Sequence, residues 1–172
     1  MTECLELVDL ADRADVEALL QRFYGQVLVD DILAEPFTEV REVSGLDSHL
    51  PVMADFWETI LFRVRRYSGH VQDVHGHVHD RTTLSSRHFI RWLTTWYNTV
   101  DEMYGGPLAE RAKTQAARIA WAMHRALTGG DAPELNTLVE RCSRLPSKSR
   151  PPADQPRRTE AITSRGSRSG LG

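Results

Sequence analysis

Large apolar residues recur along this chain at intervals of three and four, the spacing that lines one face of an α-helix. In residues 15–31, DVEALLQRFYGQVLVDD, the stripe is Val16, Leu19, Leu20, Phe23, Val27 and Leu28, with Asp15 placed to cap the N-terminus. Residues 47–66, DSHLPVMADFWETILFRVRR, repeat the pattern through Met53, Phe56, Trp57, Ile60, Leu61 and Val64. Asp47 can cap that helix, and Pro51 is expected within about its first turn, because deeper in it would break the hydrogen-bond ladder. A third helix is expected from about Ser86 to Met103, with Phe89, Trp92, Leu93, Trp96, Val100 and Met103 inward and Gly105-Gly106 as its stop. Pro107 opens a fourth, PLAERAKTQAARIAWAMHRAL, which ends at Gly129-Gly130. Its inward face is Leu108, Ala112, Ala116, Ile119, Ala120, Met123 and Leu127, and the alanines let a neighbouring helix come close. A short helix after Asp131, carrying Leu135, Leu138 and Val139, either caps the bundle or frays.

No stretch of four or more residues alternates with turn signals on both sides, so the fold class is all-α. Two linkers interrupt the helices. Residues 32–46 hold one Pro and one Gly and are expected to form a broken turn or two. Residues 67–85, YSGHVQDVHGHVHDRTTLS, show little helix pattern over about nineteen positions. A loop of that length inside a compact domain is usually functional or wrongly assigned.

Composition adds a division. The chain has 172 residues and a net charge of −3, which suits one domain. Beyond Cys142, however, seven Arg and Lys face only Asp154 and Glu160, so residues 143–172 carry +5 and residues 1–142 carry −8. The expected domain is therefore 1–142. It is acidic, and an acidic surface is a poor partner for nucleic-acid phosphates. The Ser-, Pro-, Arg- and Gly-rich remainder has too few large apolar residues to repay ordering and is expected to be a disordered basic tail. It either solubilises the protein or attracts an acidic partner. Cys4 and Cys142 form no CxxC pair, the N-terminal segment has no charged-then-apolar signal, and no apolar run reaches the ~20 residues of a membrane span. A cytoplasmic protein with reduced thiols is the expectation.

The long linker also holds four of the seven histidines, at 70, 75, 77 and 79. Three chemistries compete for them. They are incidental residues of a polar loop. Or His75, His77 and His79, which alternate, face one way in an extended segment and ligate zinc, making this a non-haem metal-binding helical protein; no Cys, Asp or Glu at ligand spacing joins them. Or one of them is the axial ligand of a haem iron. The third needs an apolar slot and polar donors opposite, and candidates are present: Tyr24 beside Phe23, Phe37 after the turn-making Pro36, and Trp92 on the third stripe. Each alone reads as core. Their coincidence, in a short bundle with four Trp and five Phe, favours a flat ligand.

Taken in order, RFYGQVLVDDILAEPF (22–37), HLPVMADFWETILF (49–62), YSGHVQDVH (67–75) and HFIRWLTTWYNTVDEMY (88–104) resemble the truncated haemoglobins, group III in particular. The resemblance spans about 12–128. It implies a globin-like, two-over-two helical sandwich with a long loop carrying the proximal histidine. It implies a noncovalent haem b, with which the absence of CxxCH agrees. Tyr67-x-Gly69 to His75, and His75-x-x-Val78, match the family's proximal segment and make His75 the iron ligand. Counting back from Trp92 favours His79, the alternative.

Tyr24, His49 and Trp92 take distal-pocket roles on this resemblance. His49 is a donor or gate there, unless it is a first-turn residue facing water. Phe23, Phe37, Phe56 and Trp57 wall the pocket. Arg63, Arg66 and Tyr67 reach the haem propionates, unless they are the solvated end of an exposed helix. The implied function is reversible binding, and by extension transport, of O2 and related diatomic ligands by a monomer or weak oligomer. Peroxidase-like or nitric-oxide-detoxifying turnover would need a reductant and a reductase that the sequence does not name. A helical interaction module recruiting an acidic partner through the tail is a third reading.

Overall fold

The computed structural model describes residues 7–69, 78–80 and 82–144, with 141–144 described by backbone only. Among the described residues, five α-helices carry the fold: α1 Arg13–Val27, α2 Leu46–Phe62, α3 Ser86–Met103, α4 Pro107–Thr128 and α5 Pro133–Arg144. A π-helical turn, Val40–Ser44, precedes α2. Among the described residues there is no strand, as the periodicity predicts. The basic tail, except for the backbone of its first two residues, lies outside the described residues, as do His70, His75 and His77.

α1 packs on α2, α3 packs on α4, and the two pairs stack through α1 with α3 and α2 with α4. This is a globin-like sandwich of two helices over two. The stripes read from the sequence are the faces that meet: Val16, Leu19, Leu20, Phe23 and Val27 from α1, Leu93, Trp96 and Val100 from α3, and Ala112, Ala116 and Ala120 from α4. Small residues on α4 bring its backbone close enough for the Trp96 indole N–H to donate to the Ala112 carbonyl at 3.3 Å. α5 runs a full twelve residues and lies against α4 and α3, so it caps the bundle.

Helix ends depart from the expectation at the start of α1 and at both ends of α2, where Gly45 is the N-cap and Asp47, expected to cap, lies inside the first turn. The α1 cap is Asp12, whose carboxylate accepts the Ala14 and Asp15 amides at 2.8 and 3.2 Å. Asp15, three residues on, reaches back to the Ala11 amide instead. α2 ends at Phe62 rather than near 66: Arg63 turns left-handed (φ 60°, ψ 28°), and the Thr59 hydroxyl accepts the Arg66 and Tyr67 amides. Val64, expected on the inward stripe, is therefore exposed. Pro51 sits in the second turn of α2; its missing N–H removes one ladder bond, and the helix continues through it.

Two long-range ties set the helices against one another. Gly106 gives α4 no side-chain cap, so Asp9, a hundred residues away, accepts the Leu108 and Ala109 amides at 2.9 and 2.8 Å. A Cβ on Gly106 (φ 149°) would collide with that carboxylate, which is why glycine is needed there. At the α1–α2 end, Arg13 reaches Asp55 at 2.6 Å and Glu58 at 2.5 Å on α2 while also holding Glu17. Hydrogen bonds to Asp55 and Glu17 hold its guanidinium well above the ordinary arginine range.

Candidate functional site

A cavity of about 300 Å³ opens between the two helical pairs, at the lower end of the ~300–1,000 Å³ typical of small-molecule pockets. Four helices and the linker before α2 converge on it because each turns part of its apolar stripe the same way. Of the ten pocket residues expected from sequence, eight line it: Phe23, Tyr24, Phe37, His49, Phe56, Trp57, Tyr67 and Trp92. Arg63 and Arg66 do not. Both are exposed where the chain leaves α2, and Arg66 instead approaches the buried Glu58 carboxylate at 3.3 Å.

One wall is a slab of indoles. Trp57 stacks on Trp96 with centroids 4.4 Å apart and planes 13° apart, and Trp92 runs parallel to Trp96 at 6.1 Å. Phe23 stands edge-on to both Trp92 and Trp96. Such offset and edge contacts each add ~0.5–1.5 kcal/mol beyond burial and fix the rings in place. Trp92 and Trp96 share a face because they are four residues apart on α3.

The polar element is Tyr24 with His49. The Tyr24 hydroxyl lies 2.8 Å from His49 Nε2, and the imidazole stands at 89° to the phenol. Tyr24 is buried, with Phe23 and Phe37 edge-on to its ring. Burial pushes its phenol far above the ordinary tyrosine range, so it stays protonated and remains a donor. His49 arrives because it lies in the first turn of α2, its amide bonded to the Gly45 carbonyl. Phe37 is set by the linker, which winds in helical turns from Asp30. Burial alone would raise the Asp30 carboxyl, but the Ile32 amide, Arg91 and the Leu33 amide outweigh it and hold it low. Arg91 thereby pins this linker to α3, at 2.7 Å to Asp30 and 3.0 Å to Asp31.

Tyr67 closes the cavity on the α2 side, edge-on to Phe56 at 5.3 Å. Gly69 lies against it; a Cβ there would sit 2.5 Å from the phenol oxygen.

Of the four histidines between α2 and α3, only His79 lies within the described residues, and it stands in a helical turn, 78–80, where the sequence pattern suggested a loop. Its Nδ1 accepts the Leu84 amide at 3.1 Å, and it does not line the cavity, although its neighbour Val78 does. Among the described residues, no three His, Cys, Asp or Glu cluster closely enough to hold a metal. Of the zinc reading's three ligands, His75 and His77 fall outside that description.

Sequence reasoning missed His88, which lines the cavity from the first turn of α3. A signal existed: His88 is four residues before Trp92 and shares its face. It also missed the floor, supplied by Ile119, Ala120 and Met123 of α4, which reads as ordinary core.

No helix among the described residues is long and apolar enough to cross a membrane. No family model matches the chain, and no curated protein matches it. Among solved structures, the crystal structure of a group III truncated haemoglobin from Campylobacter jejuni matches over 73% of this chain and 99% of that one, with a TM-score of 0.64 and 19% identity. The chain is thus similar to that protein in fold.

Proposed function

We propose that this protein binds haem b in the cavity and, through it, O2 and related diatomic ligands. The observation that carries the reading is the cavity itself: a slot walled by aromatic rings with a buried phenol–imidazole pair at one side, in a domain with the fold of a truncated haemoglobin.

The residues present fit the group. Phe23, Phe37, Phe56 and Trp57 supply apolar walls for a flat macrocycle, and Trp92 and Tyr67 line it as well. Ferrous haem supplies reversible binding of small diatomics when the group is in place. The chain's part is to hold, orient and protect. Tyr24, kept protonated by burial, offers its O–H to an electron-rich ligand, a bond strengthened by the charge such a ligand draws. His49 shares that proton at 2.8 Å, so the pair can pass the donor role between them. The Trp92 indole N–H is the second donor, and the surrounding rings exclude water.

We assign the axial ligand to the segment between α2 and α3, with His75 proposed and His79 in reserve. A neutral imidazole binds iron through an unprotonated nitrogen. At His79, Nδ1 already accepts an amide, which leaves the proton on Nε2. That arrangement supports His75.

Titration of the metal-free protein with hemin tests the reading. The expected result is saturation at one equivalent, with a Soret band and quenching of the tryptophans that line the slot. Absence of a saturable Soret change would overturn it.

A further inference from the structure

His88 lines the cavity, but the haem reading has so far given it no task. It is the third residue of α3, and its Nδ1 accepts the Ser85 backbone amide at 3.0 Å, in a reciprocal capping box with the Ser85 side chain. That bond settles the tautomer. A backbone N–H can only donate, so Nδ1 must be unprotonated, and in a neutral imidazole the proton then sits on Nε2. The nitrogen left for the cavity is a donor and cannot accept or ligate. Glu or Gln is the usual partner at this position of a capping box, and either would serve the cap. Histidine differs in offering an N–H from a stiff ring on the far side.

The position narrows what that N–H can bind. Ser85 is exposed and His88 half-buried, so the ring is at the rim of the cavity rather than on its apolar floor. A charged acceptor can keep part of its hydration at a rim, whereas on the floor it would be stripped. Meanwhile the two arginines that stood as candidates for anionic groups, Arg63 and Arg66, lie outside the lining.

We propose that His88 binds a carboxylate of the cavity's occupant through Nε2–H; on the haem reading, on which this rests, that carboxylate is a propionate. A charge-assisted hydrogen bond of this kind corresponds to about ten- to hundredfold in affinity.

Hemin and hemin dimethyl ester, whose propionates cannot take up charge, separate this from packing or capping. Both are titrated into the metal-free full-length protein and into His88→Phe and His88→Gln, with Soret and tryptophan readouts. The expected result is that His88→Phe weakens hemin by about tenfold or more and leaves the ester within about twofold of wild type. His88→Gln, which keeps both the cap acceptor and an N–H, recovers most of the hemin affinity. Equal losses for hemin and ester would mean that His88 acts only through shape or the cap, and would overturn the proposal while leaving the haem reading intact. Wild-type protein that binds neither porphyrin would overturn both.

Discussion

Tyr24 and His49, twenty-five residues apart in sequence, meet with the phenol oxygen 2.8 Å from Nε2 and their rings perpendicular. One residue comes from the end of α1, the other from the first turn of α2, so the pair exists only when those helices pack. It gives an aromatic cavity a proton that can be directed.

On the haem reading, replacing that hydroxyl has a definite cost. Tyr24→Phe should speed O2 dissociation by about ten- to hundredfold, the effect of losing one strengthened hydrogen bond. Stopped-flow release measures it. An unchanged off-rate would remove Tyr24 from the donors.

Trp96 tests whether the indole slab is structural. It is 1% exposed, stacked on Trp57, edge-on to Phe23, and bonded to the Ala112 carbonyl. Trp96→Ala should destabilise the protein by about 3–5 kcal/mol, read from denaturant midpoints. A loss below 1 kcal/mol would mean that the slab is not part of the core.

His124 should make the fold acid-sensitive. It is 3% exposed, with Nε2 2.9 Å from Ser86 Oγ and 3.3 Å from Thr128 Oγ1, and Phe89 edge-on. Burial lowers its pKa below 6.5, with Asp131 opposing. The unfolded chain therefore binds the proton first as pH falls. The stability this His contributes is complete above 6.5 and is lost as pH drops through the folded value. The melting temperature should fall across that window in wild type and fall less in His124→Gln. Parallel pH profiles would contradict this.

The Arg13 cluster predicts coupling between α1 and α2. Glu58 is buried, and Arg13 is its nearer cation, with Arg66 at 3.3 Å. Arg13→Ala and Glu58→Ala should each cost about 1–2 kcal/mol and show a coupling of about 1 kcal/mol in a double-mutant cycle, weaker at high salt. Additive losses would mean no direct interaction.

The helices were legible because burial on one side imposes a three-four repeat, and Leu19, Phe23, Trp96 and Ala116 all lie where that repeat places them. Much of the cavity was legible too, since Tyr24 sits beside the α1 stripe, Trp92 lies on the α3 stripe, and Phe37 is an aromatic after a turn-making proline in an otherwise polar linker. What the pattern could not carry was non-local. Nothing around Arg63 signals that α2 stops there, because a left-handed arginine has no sequence mark and Thr59 catches the chain from the turn before. The pattern placed the α1 cap at Asp15, whereas Asp12 is the residue that accepts the first free amides. Asp9 capping α4 joins residues a hundred positions apart. His88 was hidden by its position in a first turn, where a polar residue ordinarily faces water.

The claim that this cavity is a haem site is tested most directly by the visible spectrum of the purified, reduced protein under carbon monoxide, for wild type and for His75→Ala and His79→Ala. The account predicts an intense Soret band of a histidine-ligated carbonyl haem in wild type and in His79→Ala, with the band lost or altered in His75→Ala. No Soret band in wild type, even after hemin is added, would contradict it.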